Sequence, residues 1–189
     1  MRPTLVVMLK EPVPGRVKTR LGRDIGMVGA AWWFRHQVRR LLREVEDPRW
    51  RLILAVAPDS AGMSSRVWPP HLARVPQGSG DLGARMARLM RGLPPGPVCI
   101  IGGDIPAVRK SHIARAFRRL GAHEAAFGPA PDGGYWLVGL KRLRIPATLF
   151  KGVRWSSEDA LQDSIASLGT PARVVLVDEL RDVDTAGDL

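Results

Sequence analysis

Apolar runs too short to form helices, Leu5-Val6-Val7-Met8-Leu9 and Val98-Cys99-Ile100-Ile101 above all, alternate along this chain with longer stretches whose apolar residues return at helical spacing. That alternation is the strongest constraint on the fold. A strand buried on both faces reads as a continuous apolar run, and strands separated by helices pack as a mostly parallel sheet covered on both sides. The pattern predicts strands at 4–9, Arg51–Ala57, Pro97–Ile101, Ala125–Phe127, Tyr135–Leu140 and Arg173–Val177. Helices are expected at Met27–Glu46, Leu82–Arg91, Arg109–Leu120 and Ser157–Leu168, with a proline-interrupted stretch at Arg66–Val75. No repeat or linker divides the 189 residues, so one domain over 1–189 is expected, long enough for a substantial core.

In open sheets of this kind ligands bind beyond the carboxyl ends of the strands. The first strand feeds Lys10-Glu11-Pro12-Val13-Pro14-Gly15-Arg16-Val17-Lys18-Thr19-Arg20-Leu21, in which two prolines and a glycine exclude regular structure and four cations face one acid. A loop at 10–21 with this make-up suits phosphate: Gly15 lets backbone N–H groups approach, and Lys10, Arg16, Lys18 and Arg20 neutralise charge. A solvated basic turn is the plainer alternative. The strongest central strand ends in Gly102-Gly103-Asp104, which projects a carboxylate at the same edge, suited to a hard divalent cation completed by substrate phosphate, or to capping the helix that follows.

Gly78-Ser79-Gly80-Asp81-Leu82-Gly83 has the letters of a dinucleotide fingerprint, but Pro76 interrupts its approach and it lies in mid-domain. It reads either as a glycine loop capping a helix or as a nucleotide-contacting loop with Gly80, Asp81 and Arg85. Asp132-Gly133-Gly134-Tyr135 reads as a tight turn, or as room for a sugar or acceptor whose hydroxyls Asp132 would bind. Ser156 is expected to cap the next helix, with Trp155 as packing or a stacking wall. In the tail, Thr185 and Asp188 have capping spacing, while Asp184 becomes a second metal ligand if the tail folds back toward Asp104.

Other chemistries lack their residues. There is no nucleophile elbow, His36, His71, His112 and His123 lack zinc spacing, and Val17 stands where a Walker loop needs glycine before Lys18. The net charge of +11 comes from 29 basic and 18 acidic residues, yet its arginines are spread along helices without a nucleic-acid-binding pattern, so no specific nucleic-acid partner is expected. No run approaches a membrane span, and Leu5–Leu9 is too brief for a signal-peptide core. One cysteine, Cys99, lies in a buried-looking strand and cannot form an internal disulfide, which fits a reducing cytoplasm.

Taken together, KEPVPGRVKTRL at 10–21, QGSGDLGARM at 77–86, IGGDIP at 101–106, GPAPDGGYWLVGL at 128–140, LFKGVRW at 149–155 and DVDTAGDL at 182–189 resemble a bacterial family of inferred nucleotide-diphospho-sugar transferases, formerly a domain of unknown function. The resemblance implies a glycosyltransferase-A-like, three-layer α/β/α fold and a Mg2+ or Mn2+ cofactor. It also implies a nucleotide or nucleotide-sugar donor and a small-molecule acceptor. The resemblance matches Asp104 to the family's metal-binding Asp and Lys18 and Arg20 to its loop cations; with the residue readings above, Lys18, Arg20 and Asp104 would be catalytic and Asp104 and Asp184 would hold the metal. Lys10, Pro14, Gly15, Arg16, Gly80, Asp81 and Arg85 would bind the nucleotide, and Asp132, Gly133, Gly134, Tyr135 and Trp155 the sugar or acceptor. The family pattern often has Gly-Ser-Asp where this chain has Gly102-Gly103-Asp104. The family is similar to 2-phospholactate and molybdenum-cofactor guanylyltransferases, which move a nucleotidyl group, so glycosyl transfer, nucleotidyl transfer with pyrophosphate release, and non-catalytic nucleotide binding all stay open.

Overall fold

A computed structural model describes residues 1–169 and 172–189. Its strands are β1 (Thr4–Lys10), β2 (Arg51–Ala57), β3 (Ala73–Pro76), β4 (Val98–Gly102), β5 (Ala125–Pro129), β6 (Tyr135–Leu140) and β7 (Val174–Leu176). The helices are α1 (Thr19–Ile25), α2 (Met27–Val45), α3 (Asp59–Ser64), α4 (Leu82–Gly92), α5 (Lys110–Arg119) and α6 (Ala160–Ala166), with a 3-10 turn at Ala186–Asp188. All seven strands join one sheet in the order β3-β2-β1-β4-β6-β5-β7. β6 runs antiparallel to both neighbours, β4 and β5, and every other pairing is parallel.

Alternation along β1 sorts the core. Leu5, Val7 and Leu9 pack with α2 and α5 through Val38, Leu42, Ile113 and Leu120, while Val6 faces α4 through Met86 and Met90. The apolar stripe of α2 is therefore buried on one side of the sheet and that of α4 on the other, giving the three layers. Cys99 is fully buried in β4, and burial pushes its thiol above the ordinary range, which keeps it protonated.

Three elements depart from the sequence reading, one of them the short helix α3 at Asp59–Ser64, which it did not contain. The loop expected to run to residue 21 ends earlier, because α1 begins at Thr19. The last helix is shorter than Ser157–Leu168, starting at Ala160 after Asp159, and Ser156 does not cap it. Ser156 sits instead in the left-handed region at φ 61°, and the Ser157 hydroxyl donates to the Arg154 carbonyl.

The order of strands fixes where a ligand fits. From β1 the chain moves outward to β2 and β3, then returns to place β4 on the other side of β1. The loops leaving β1 and β4 diverge at this reversal, and a crevice opens at their carboxyl ends.

Candidate functional site

The β1 loop is held by its own backbone: Glu11 N–H donates to Ala57 O at 2.8 Å, and Arg16 N–H to Val13 O at 3.0 Å across a turn that Gly15 permits at φ 76°. Val17 is buried and anchors the loop's return. Lys18 then adopts left-handed geometry, φ 46° and ψ 48°, immediately before α1. For a residue with a Cβ that conformation costs roughly 1–2 kcal/mol. It directs the side chain inward, where Nζ lies 2.6 Å from Asp104 Oδ2 and 2.9 Å from Asp184 Oδ1, with 9% of the side chain exposed. Burial works against the ammonium, but the two carboxylates outweigh it and raise the Lys18 pKa above its ordinary value.

Asp104 is placed by tight packing before it. A Cβ on Gly103 would lie 2.6 Å from Leu9 Cδ2 and 3.1 Å from Val38 Cγ2, so the space a side chain would need there is filled by core. Asp104 does not cap a helix, since α5 starts six residues later behind Arg109. Its carbonyl accepts instead from Val183 N–H at 3.1 Å.

That bond pins the tail. Val183 is 3% exposed and packs with Leu21, Ala30 and Trp33, so the flanking Asp182 and Asp184 are held beside Asp104. Asp184 also accepts from Arg20 Nη1 at 2.8 Å. Burial alone would raise its pKa, yet Lys18 and Arg20 prevail and lower it. Asp182 shifts the other way, raised by burial and by the negative charge of Asp104 and Asp184. Asp188 locks the turn, its Oδ2 accepting from Asp184 N–H, Thr185 N–H and the Thr185 hydroxyl. Capping and the return of Asp184 toward Asp104 therefore hold together.

Around this centre lies a cavity of about 590 Å³. Lys10, Arg16, Lys18, Arg20 and Arg85 line it, with Gly80, Asp81, Asp104 and Asp184. Asp81 caps α4 by accepting from Ala84 N–H at 2.7 Å, and Arg85 Nε donates to Gly80 O at 2.9 Å, so the glycine loop is both a cap and a wall. Pro14 and Gly15 lie on the exposed outer turn, away from this lining. Sequence reasoning passed over Gln77 and Arg88. Gln77 Nε2 donates to Leu9 O at 3.0 Å and Ala55 O at 2.8 Å, tying together the ends of β1 and β2, and Arg88 holds the carbonyls of Gln77 and Ser79. The only sequence signal was their place around the glycine loop.

A second cavity, of about 190 Å³, shares Leu82, Gly102 and Asp104 with the first. Asp132, Gly134, Tyr135 and Trp155 line it, joined by Asp182, which the sequence did not single out from its acidic neighbours. The Asp132 turn is tight, with Gly134 N–H donating to Asp132 Oδ1 at 3.0 Å. Gly133 serves beneath this wall: at φ 83° its missing Cβ would lie 2.4 Å from Glu158 Cα. Burial raises the Tyr135 phenol, whose hydroxyl meets Ser164 at 3.0 Å, so Tyr135 contributes a protonated aromatic wall.

The carboxylate oxygens of Asp104 and Asp184 converge on the Lys18 ammonium, and they are the donor type that a hard cation such as Mg2+ or Mn2+ uses. No group of three or more potential ligands forms among the described residues, so this pair needs substrate oxygens or water to complete a shell, as Mg2+ sites with phosphates commonly do.

A three-layer domain with a switch-point crevice of this make-up is nucleotide-diphospho-sugar transferase-like in class. The chain belongs to the bacterial family described as "uncharacterized protein conserved in bacteria (DUF2064)", whose model matches residues 41–157. It is similar to a "putative nucleotide-diphospho-sugar transferase" from Desulfovibrio desulfuricans G20, with 30% identity and a TM-score of 0.87 over 97% of this chain and 83% of that one. Two more distant likenesses concern the fold. Rv0371c of Mycobacterium tuberculosis H37Rv, in a complex with manganese, is 19% identical with a TM-score of 0.57, covering 100% of this chain and 96% of that one. The 4-diphosphocytidyl-2C-methyl-D-erythritol synthase of Anaerococcus prevotii is 11% identical with a TM-score of 0.58, covering 98% and 94%. No curated protein matches the sequence. No helix among the described residues is long and apolar enough to cross a membrane.

Proposed function

We propose that this protein is a divalent-metal-dependent glycosyltransferase that takes a nucleotide-diphospho-sugar donor, with the diphosphate in the larger cavity. The observation that carries the reading is Lys18, a buried ammonium held between Asp104 and Asp184 on the floor of a cavity lined by four further cations. A buried, positioned cation stabilises charge that develops on a leaving group far more than an exposed one does. A cation held by Asp104 and Asp184 would supply further neutralisation of the diphosphate, and the manganese complex of the Rv0371c neighbour supports that choice.

In this mechanism Lys10, Arg16 and Arg85 bind and orient the nucleotide's phosphates at the cavity wall. Lys18 and Arg20 turn from Asp184 toward the diphosphate as it takes on negative charge. The acceptor hydroxyl attacks the anomeric carbon, the bond from that carbon to the diphosphate oxygen breaks, and the nucleoside diphosphate leaves with the bonding electrons. Asp132 stands in the adjoining cavity as the group to take the hydroxyl proton, since Asp184 would be engaged by the cation once Lys18 and Arg20 turn away. Incubation with a panel of nucleotide sugars, acceptors and Mn2+ tests the reading by its products. Nucleoside diphosphate release that depends on acceptor and is lost in Asp104→Ala is expected. Release of pyrophosphate from a nucleoside triphosphate instead would assign nucleotidyl transfer.

A further inference from the structure

The two adjoining cavities carry opposite charge, and the smaller one carries no cation at all. Among its lining residues are three carboxylates, Asp104, Asp132 and Asp182, and no Lys, Arg or His. Asp104 is paired with Lys18, whereas among the described residues neither Asp132 nor Asp182 has a cation within ion-pairing distance. Three aromatic residues, Tyr135, Trp136 and Trp155, also line it, and the rest of the lining is small, polar-neutral or aliphatic.

We propose that the smaller cavity receives an uncharged, hydroxyl-bearing ring and rejects phosphorylated ligands, so that the acceptor of this transferase enters without a phosphate. The inference rests on the larger cavity being the diphosphate site. Carboxylates accept hydrogen bonds from hydroxyls without charge conflict, and flat aromatic faces cover the apolar face of a sugar ring. A phosphate carries about −1.5 to −2 charges at neutral pH, and beside unpaired carboxylates like-charge repulsion opposes it. A phosphate entering this region has instead the neighbouring cavity, where five cations stand. Size agrees with one ring: 190 Å³ is the space of about six waters at ~30 Å³ each. This chemistry separates the two transfer reactions, because nucleotidyl transfer to a phosphorylated small molecule needs a phosphate at this junction beside Asp104.

The test uses the full chain with Mn2+ and whichever of UDP, GDP, CDP or ADP it binds, titrated by saturation-transfer NMR with matched pairs. Suitable pairs are glucose and glucose 6-phosphate, N-acetylglucosamine and its 6-phosphate, and glycerol and glycerol 3-phosphate. At least one unphosphorylated member is expected to bind tenfold or more tightly than its phosphorylated partner. Asp132→Asn should weaken that binding and narrow the ratio, and Asp182→Asn should narrow it too, with nucleotide affinity changed less than threefold. Equal or tighter binding of the phosphorylated members, or binding by no member of any pair, overturns the proposal while leaving the diphosphate site standing. Failure of all four nucleotides to bind overturns the diphosphate reading and this inference with it.

Discussion

The two cavities meet at Asp104 but are built on opposite plans. The larger one is made of charged side chains on a loop, and its centre is a set of ion pairs that can exchange partners: Lys18 and Arg20 both hold Asp184 with contacts of 2.8–2.9 Å. The smaller one sets Asp104, Asp132 and Asp182 among aromatic residues and backbone turns, with Gly133 packed behind its wall against Glu158. Charge that must be handed to a ligand is kept in movable pairs, whereas the charge that selects a ligand, on Asp132 and Asp182, stands unpaired within packed walls. Pairing also lets buried charge persist, since removing one partner leaves the other uncompensated.

Substitutions can break that contrast. The largest effect is expected at its shared centre, where Asp104→Ala or Lys18→Ala should lower turnover roughly a hundred- to thousandfold, as removal of a preorganised electrostatic contact does. Steady-state kinetics check this, and the two losses should not add in the double variant, because both residues belong to one network. Next come the turns. Gly133→Ala meets backbone at 2.2 Å and should destabilise the fold by about 2–4 kcal/mol, while Gly15→Ala, also at positive φ but with nothing within 4 Å of its Cβ, should cost about 1 kcal/mol. Urea unfolding separates them, and equal costs would contradict the division between packed and open turns.

The pH dependence of the central pairs gives a smaller effect. The Asp184 pKa is lowered in the folded chain, so its contribution is present above the unfolded carboxylate value and lost as pH falls through the folded one. The Lys18 pKa is raised, so its contribution is present below the unfolded lysine value and lost as pH rises past the folded one. The Tm difference between the wild type and Lys18→Met should therefore be flat from about pH 5 to pH 9 and shrink beyond both ends. The smallest effect concerns the metal: without nucleotide, the Lys18 ammonium competes with a cation for Asp104 and Asp184, so Lys18→Met should bind Mn2+ about two- to tenfold more tightly, by calorimetry, than the wild type.

Much of this contrast was legible before any coordinates. The buried strands announced themselves because runs such as Leu5–Leu9 are apolar on both faces, and the cations of the β1 loop were visible as an excess over one acid. The reversed direction of β6 was not legible, since Tyr135–Leu140 is buried whichever way it runs. Helix α1 was hidden because its first turn carries no acid and it begins from a left-handed lysine rather than a capping side chain. Asp182 was hidden among equal neighbours: only the burial of Val183 decides which tail carboxylates face the cavities. Gln77 carried no signal because its role is to bridge two carbonyls from distant strands.

The central claim is that Asp104 and Asp184 present a metal to a diphosphate beside Lys18. Calorimetric titration of nucleoside diphosphates, with and without Mn2+, into the wild type and Asp104→Asn tests it most directly. The account predicts affinity at least tenfold tighter with Mn2+ in the wild type and no such gain in Asp104→Asn. Affinity indifferent to Mn2+ in the wild type, or a metal gain that survives in Asp104→Asn, would contradict it.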